Sequence, residues 1–243
     1  MNVLFVGTSG STFHRGNMPP SILVENRLLF DCPAPCPYEL SRRKLLERLE
    51  AVFLTHLHAD HALGVLDLAW HAWIAGLEPF TVILPRGAGS ELKSLLARLH
   101  PSKSGELLAH LEILEAGAGE EVYGVEAVPA RHGVPALGYR TGGFCYTGDT
   151  SPVKEHVEYF RGCSLLVHEA TYPPGMEREA VADGHSTPLQ AAETAVAAGA
   201  RRLALIHIPT ARLGWEARDR YVRAARSIFK ETYAPLPGDE AEI

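Results

Sequence analysis

The chain has 243 residues, enough for one large domain or two small ones and for a core that needs no disulfide staples. Hydrophobic residues make up 46% and charged residues 21%, the balance of a soluble globular protein. A formal net charge of −6, from 29 acidic and 23 basic residues, argues against a surface built broadly for nucleic acid but leaves room for a local basic groove.

The first residues, MNVLFVG, offer neither a basic segment nor an apolar run long enough for a secretion signal, and no run approaches a membrane span. A soluble cytoplasmic protein with no membrane contact is therefore expected. No repeat, low-complexity tract or linker appears, so a single domain over residues 1–243 is expected. VLFV (3–6) predicts a strand that runs into the loop GTSGS. SILVE (21–25) and RLLFD (27–31) predict two more, with Asn26 at the turn. Leu40, Leu45, Leu46 and Leu49 have helical spacing, which predicts a helix over 38–50. AVFLT (51–55) is a short apolar strand, 60–76 a helix, TVILP (81–85) a strand and 89–99 a helix. The middle is β-rich: LEIL (111–114), EEVYGVEAVPA (120–130) and ALGYRTGGFCYTGD (136–149), the last folded at Thr141-Gly142-Gly143. SPVKEHVEYF (151–160) reads as a short helix and SLLVHEA (164–170) as a buried strand. Thr187 as N-cap, Pro188 in the first turn and Gln190 at N3 open a helix that stops near Gly199. RRLALIHI (201–208) reads as the last strand and 215–230 as a terminal helix. Apolar strands that repeatedly meet helices give an α/β layered fold. Two such halves packed sheet to sheet make an αββα sandwich.

Polar residues collect at the ends of these strands. AVFLT ends at His56, followed by His58, Asp60 and His61. EAVPAR ends at His132, FCYTG at Asp149, SLLV at His168 and Glu169, and LALI at His207. Strand alternation lets His56 and His58 point the same way and grip one cation, while Asp60 and His61 turn into the next helix and reach a second. His132 and His207 complete the set, and Asp149 is placed to bridge. Imidazole and carboxylate suit zinc, manganese or iron(II). Each residue has a plainer reading alone. His132 or His207 could be a satisfied histidine, Asp149 a turn residue and Asp60 an N-cap. Their convergence on one rim is what favours a reactive site. His14, His71, His100, His110 and His156 lack companions and receive no metal role; His71, among Trp70, Trp73 and Ile74, reads as core. Cys32, Cys36, Cys145 and Cys163 form no CxxC pair and read as free thiols.

With these residues in view, the sequence resembles the metallo-β-lactamase superfamily. THLHADH (55–61) is similar to its signature, and His132, Asp149 and His207 follow in the family's order. HEAT (168–171), GHST (184–187), FDC (30–32), HGVPALGY (132–139) and GDT (148–150) resemble the ribonuclease Z branch. The resemblance implies a binuclear centre with two divalent ions, zinc first and manganese or iron as alternatives. His56, His58, His132 and Asp149 would hold one ion, and Asp60, His61, Asp149 and His207 the other. It implies a phosphodiesterase that uses a metal-bridging hydroxide, oriented by Asp60. His185 would protonate the leaving oxygen and Glu169 would orient His185, a division of labour that general acid chemistry also favours. Arg212 would touch a substrate phosphate or be a plain surface arginine.

One departure separates the chain from that branch. Members that mature transfer RNA carry a long arm between the histidine matching His132 and the aspartate matching Asp149. Here RHGVPALGYRTGGFCYTGD spans that stretch with a hairpin and nothing more. The expected substrate is therefore a small or cyclic phosphodiester, with nucleic acid not favoured. Transfer-RNA 3′-end cleavage and carboxyl-ester, thioester or lactone hydrolysis are the alternatives. The resemblance is also compatible with a homodimer.

Overall fold

Fourteen strands form two seven-stranded sheets in the computed structural model, which describes residues 1–243. The first sheet takes β1 (Asn2–Gly7), β2 (Ser21–Val24), β3 (Leu28–Phe30), β4 (Ala51–Phe53), β5 (Phe80–Pro85) and β6 (Leu111–Ala116). The second takes β7 (Glu121–Val122), β8 (Val125–Pro129), β9 (Leu137–Thr141), β10 (Phe144–Tyr146), β11 (Leu165–Glu169), β12 (Leu203–Ile206) and β13 (Thr232–Tyr233). The last strand, β14 (Glu240–Glu242), returns to the first sheet and pairs antiparallel with β1. There the chain ends meet: the Met1 amine donates to the Ile243 carbonyl at 2.9 Å, and the Ile243 amide donates back to Met1 at 3.0 Å.

Both sheets mix directions in the same way. β1, β2 and β3 form an antiparallel meander, and β3 to β6 run parallel. β7 to β10 are antiparallel, and β10 to β13 parallel. Parallel neighbours need crossover connections, and helices supply most of them. Gly64–Ala75 links β4 to β5, Pro188–Ala198 links β11 to β12, and Ala217–Arg226 links β12 to β13. The Pro188–Ala198 helix has the expected capping box at Thr187 and Gln190, and it ends at Gly199 with φ 64°.

Strand alternation sorts side chains into three apolar layers. Ala51 and Phe53 of β4 face the second sheet, while Val52 faces the helices. Leu165 and Val167 of β11 face the first sheet, and Leu166 faces the helices on its own side. The inter-sheet layer is aromatic at its centre: Phe30 lies 5.1 Å from Phe53, 5.1 Å from Phe144 and 5.8 Å from Tyr139. Each such ring contributes roughly 1.5–3 kcal/mol on burial, which ties the two sheets together. With both sheets covered by helices on their outer faces, the expected αββα order holds.

Several local expectations need correction. The helix over 38–50 shortens to Cys36–Arg42 followed by a 3-10 turn at Leu46–Arg48, because Lys44 adopts φ 58° and breaks the spiral. The helix over 60–76 is interrupted at Leu63, where the Gly64 amide bonds the Cys32 carbonyl at 2.8 Å instead of continuing the ladder. β12 is not the last strand; β13 and β14 follow, both too short to show an apolar run and β14 charged besides. His71 is exposed, not core, and Ile74 beside it is 63% exposed. That helix buries Leu68, Ala69 and Ala72 instead, and Trp70 stacks on His100 at 4.4 Å. No helix is long and apolar enough to cross a membrane.

Candidate metal centre

The edge where the parallel strands end carries the polar residues. β4 stops at Phe53, so His56 and His58 lie in the coil beyond it rather than on the strand. Strand alternation therefore does not align them. A buried carboxylate organises the loop instead. Asp31, at φ 58° just past β3, accepts from the Thr55 amide at 2.8 Å, the Thr55 hydroxyl at 3.0 Å, His61 Nδ1 at 2.8 Å and the Tyr146 hydroxyl at 2.7 Å. The Tyr146 bond reaches across from the second sheet and fixes the loop relative to it.

Nδ1 is likewise engaged at three more of the candidate ligands. His56 Nδ1 bonds Thr55 Oγ1 at 3.0 Å, His132 Nδ1 bonds the Gly184 carbonyl at 2.9 Å, and His207 Nδ1 bonds Thr171 Oγ1 at 2.9 Å. Engaging Nδ1 leaves Nε2 with a lone pair to offer, the usual arrangement behind a metal-ligating imidazole. His56 Nε2, His61 Nε2 and Asp149 Oδ1 are buried without any hydrogen-bond partner. Orphaned polar atoms are costly, and three at one point call for a cation. Two glycines make the approach tight. Gly148 has φ 59°, and a Cβ there would lie 2.7 Å from Thr55; Gly184 has φ 75°, and its Cβ would lie 3.1 Å from His132.

The expected ligands come together. His56, His58 and His132 form one group whose ligand atoms lie within 4.8 Å of one another, and Asp60, His61 and His207 form a second. Asp149 joins His56 and His61 in a third and His132 and His185 in a fourth, so it sits between the two sets. His61 and His207 each place Nε2 3.4 Å from Asp149 Oδ2, His207 Nε2 lies 3.4 Å from Asp60 Oδ2, and His132 Nε2 lies 3.2 Å from His58 Nδ1. Ligands about 2.0–2.1 Å from a tetrahedral ion stand roughly 3.3 Å apart, so the donor set fits zinc-like cations.

Electrostatics agree with a site made for positive charge. Burial would raise the pKa of Asp149, but charge on His207 and His61 outweighs it and holds the carboxyl well below the ordinary range. Burial works against a charged His61 too, yet Asp149 and Asp31 hold its pKa well above the usual histidine value. His56 goes the other way: burial, then the charge on His61, keep it neutral.

Beside this cluster stands His185. Its Nδ1 bonds Glu169 Oε1 at 2.9 Å and lies 3.9 Å from Asp149 Oδ2. Burial lowers its pKa, but the Glu169 hydrogen bond and charge push it up to about 9. Glu169 is fully engaged. Oε1 also accepts from the Thr150 and Ser186 amides, both at 3.1 Å, and Oε2 accepts from the Thr171 amide at 2.9 Å and hydroxyl at 2.7 Å.

His168 is absent from the cluster. It shares the strand parity of Leu166, faces the helix layer and lies buried near His156. Asp31, Thr55, Tyr146 and Thr171 support the site without having been singled out from the sequence. The FDC, THLHADH and HEAT motifs contain three of them, Asp31, Thr55 and Thr171, but supplied no role. The four cysteines are buried and free.

An αββα sandwich with a histidine–aspartate centre at one edge is a metallohydrolase architecture. The chain belongs to the β-lactamase superfamily: the family model described as a beta-lactamase superfamily domain matches residues 26–208. Among relatives, "Ribonuclease BN" of Erwinia tasmaniensis is 28% identical over 96% of this chain and 96% of its own. That alignment runs to 299 positions, so the relative carries residues that this chain lacks. Two solved structures share the fold. The metallo-beta-lactamase fold protein YhfI from Bacillus subtilis has a TM-score of 0.84 at 21% identity, covering 99% of each chain. The short form of human tRNase Z has a TM-score of 0.78 at 22% identity, covering 100% of this chain and 99% of that one.

Proposed function

We propose that residues 1–243 form one catalytic domain, a binuclear metal-dependent phosphodiesterase that hydrolyses a small or cyclic phosphodiester. The observation that carries the reading is His185 held by Glu169 beside the donor set, 3.9 Å from Asp149. A thioester releases a stable thiolate and needs no proton donor so placed, whereas a diester that leaves as a poor alkoxide does. The ribonuclease relative belongs to the same chemical class.

In this reading His56, His58, His132 and Asp149 hold one divalent ion, and Asp60, His61, Asp149 and His207 hold the other. Zinc is the first candidate because of the imidazole and carboxylate donors, with manganese and iron(II) next. Bound cations supply a water of lowered pKa and neutralise charge on the phosphoryl oxygens. The chain's own residues do the rest. Asp60, half-buried and bonded to His207 Nε2 at 3.4 Å, orients the attacking water. A new bond forms from the water oxygen to phosphorus, the bond to the leaving oxygen breaks, and His185 gives that oxygen its proton. Glu169 keeps His185 charged and aimed.

The test compares leaving groups. His185→Ala should retain its metal but lose about 10²–10⁴-fold in kcat on an alkyl diester, the range of general acid catalysis. It should lose far less on bis(p-nitrophenyl) phosphate, whose leaving group needs no proton. Equal losses on both would sink the role of His185, and the absence of any diester turnover by the metal-loaded protein would sink the phosphodiesterase. RNA is the second substrate to assay, on the strength of the relative's name. Efficient cleavage of precursor transfer RNA would overturn the preference for a small one.

A further inference from the structure

We propose that the cleft opening beside His185 is the leaving-group subsite, and that Arg212 makes it selective for a leaving alcohol carrying a second anionic group. The proposal rests on the phosphodiesterase reading, because His185 protonates the leaving oxygen and that oxygen's substituent must then extend to the same side.

The cleft has a volume of about 490 Å³, within the usual size for a small-molecule pocket. Ser11, Thr12, Tyr172, Asp183, His185 and Arg212 contribute to its lining, and only two lining residues are apolar. The walls come from the Ser11–Thr12 loop, the helical turn Thr210–Leu213 and the segments around Tyr172 and Asp183. Gly10 bonds the Ile208 carbonyl at 3.1 Å, which holds the Ser11–Thr12 loop against the segment that follows His207. The Tyr172 hydroxyl donates to Asp183 Oδ2 at 2.7 Å and closes the opposite wall.

The charged groups then define the ligand. Arg212 enters no ion pair with any carboxylate of the chain. On a protein of net charge −6, an unpaired guanidinium in the cleft next to the proton donor is a ready anion site. Asp183, the carboxylate that shares the cleft, makes no ion pair with Arg212 and accepts from Tyr172 instead. Its other oxygen, with Ser11 and Thr12, suits hydroxyl groups on the leaving alcohol. A hydroxylated alcohol with a further phosphate satisfies all of these groups, and a plain cyclic nucleotide leaves Arg212 unused.

Thymidylyl-thymidine (TpT) and its two terminally phosphorylated forms, pTpT and TpTp, test this on the metal-loaded enzyme. One phosphorylated form should exceed TpT in kcat/KM by at least about tenfold, the value of a charge-assisted contact. Arg212→Ala should lower that form at least about tenfold more than TpT, mainly through KM, and Arg212→Lys should recover part. Phosphorylated and plain dinucleotides cleaved alike, or an equal loss on all three, would overturn the proposal. If no diester is cleaved, the phosphodiesterase reading falls separately. Binding then decides the subsite: calorimetry should give thymidine 3′,5′-bisphosphate a tighter Kd than the 5′-monophosphate, with the gap closed by Arg212→Ala. An unchanged gap would overturn the subsite.

Discussion

Thr171 shows how much a single hydroxyl can carry. It donates to Glu169 and accepts from His207 Nδ1, so one carboxylate holds both the proposed proton donor and one proposed ligand. Thr171→Val keeps the shape but leaves His207 Nδ1 without its acceptor. Metal affinity, measured by competition with a chromogenic chelator, should fall about 10–100-fold, the usual cost of losing such a support. Thr171→Ser should stay within a few-fold of wild type, which separates the hydrogen bond from packing. Residue chemistry was the most legible layer of the sequence. His56, His58, Asp60, His61, His132, Asp149 and His207 are unusual just past strand ends, and Glu169 and His185 lie in the HEAT and GHST motifs. Asp31 and Tyr146 were not legible in their roles, because they meet each other across two sheets and 115 positions of chain. His71 misled because Trp70, Trp73 and Ile74 share a half-exposed side of the helix, whereas Val65, Leu68, Ala69 and Ala72 make its buried side.

At the level of elements, the loops after the strands matter more than the strands. The tight loop after β10 sets Asp149 between the two donor groups, and Gly148 makes it fit. Gly148→Ala would force both a strained φ and a contact with Thr55. It should cost roughly 1–3 kcal/mol in chemical denaturation and lower metal occupancy by elemental analysis. Wild-type occupancy in this variant would show that the loop does not position Asp149. Long apolar strands such as β5 and the capped helix Pro188–Ala198 were readable from periodicity and end signals. Thr232–Tyr233 and Glu240–Glu242 were not, since two or three residues show no period and only a partner strand makes them β.

Across the whole molecule, the donors divide between the sheets. His56 to His61 follow β4 of the first, whereas His132, Asp149 and His207 follow strands of the second. A bound cation is therefore a link between sheets as well as a catalyst. At a free metal concentration a hundredfold above Kd, binding should add about 2.7 kcal/mol of stability. For a chain of this size that raises Tm by roughly 5–10 °C over chelated protein in a thermal melt. Asp149→Ala should abolish most of the shift, and a Tm insensitive to metal would refute a cross-sheet site.

The pairing of β14 with β1 has a consequence for how such a chain can be rearranged. Because Met1 and Ile243 already exchange hydrogen bonds, the backbone is nearly a closed ring, and a short peptide could seal it without moving either sheet. Which half is synthesised first is then a matter of genetic order, not of architecture.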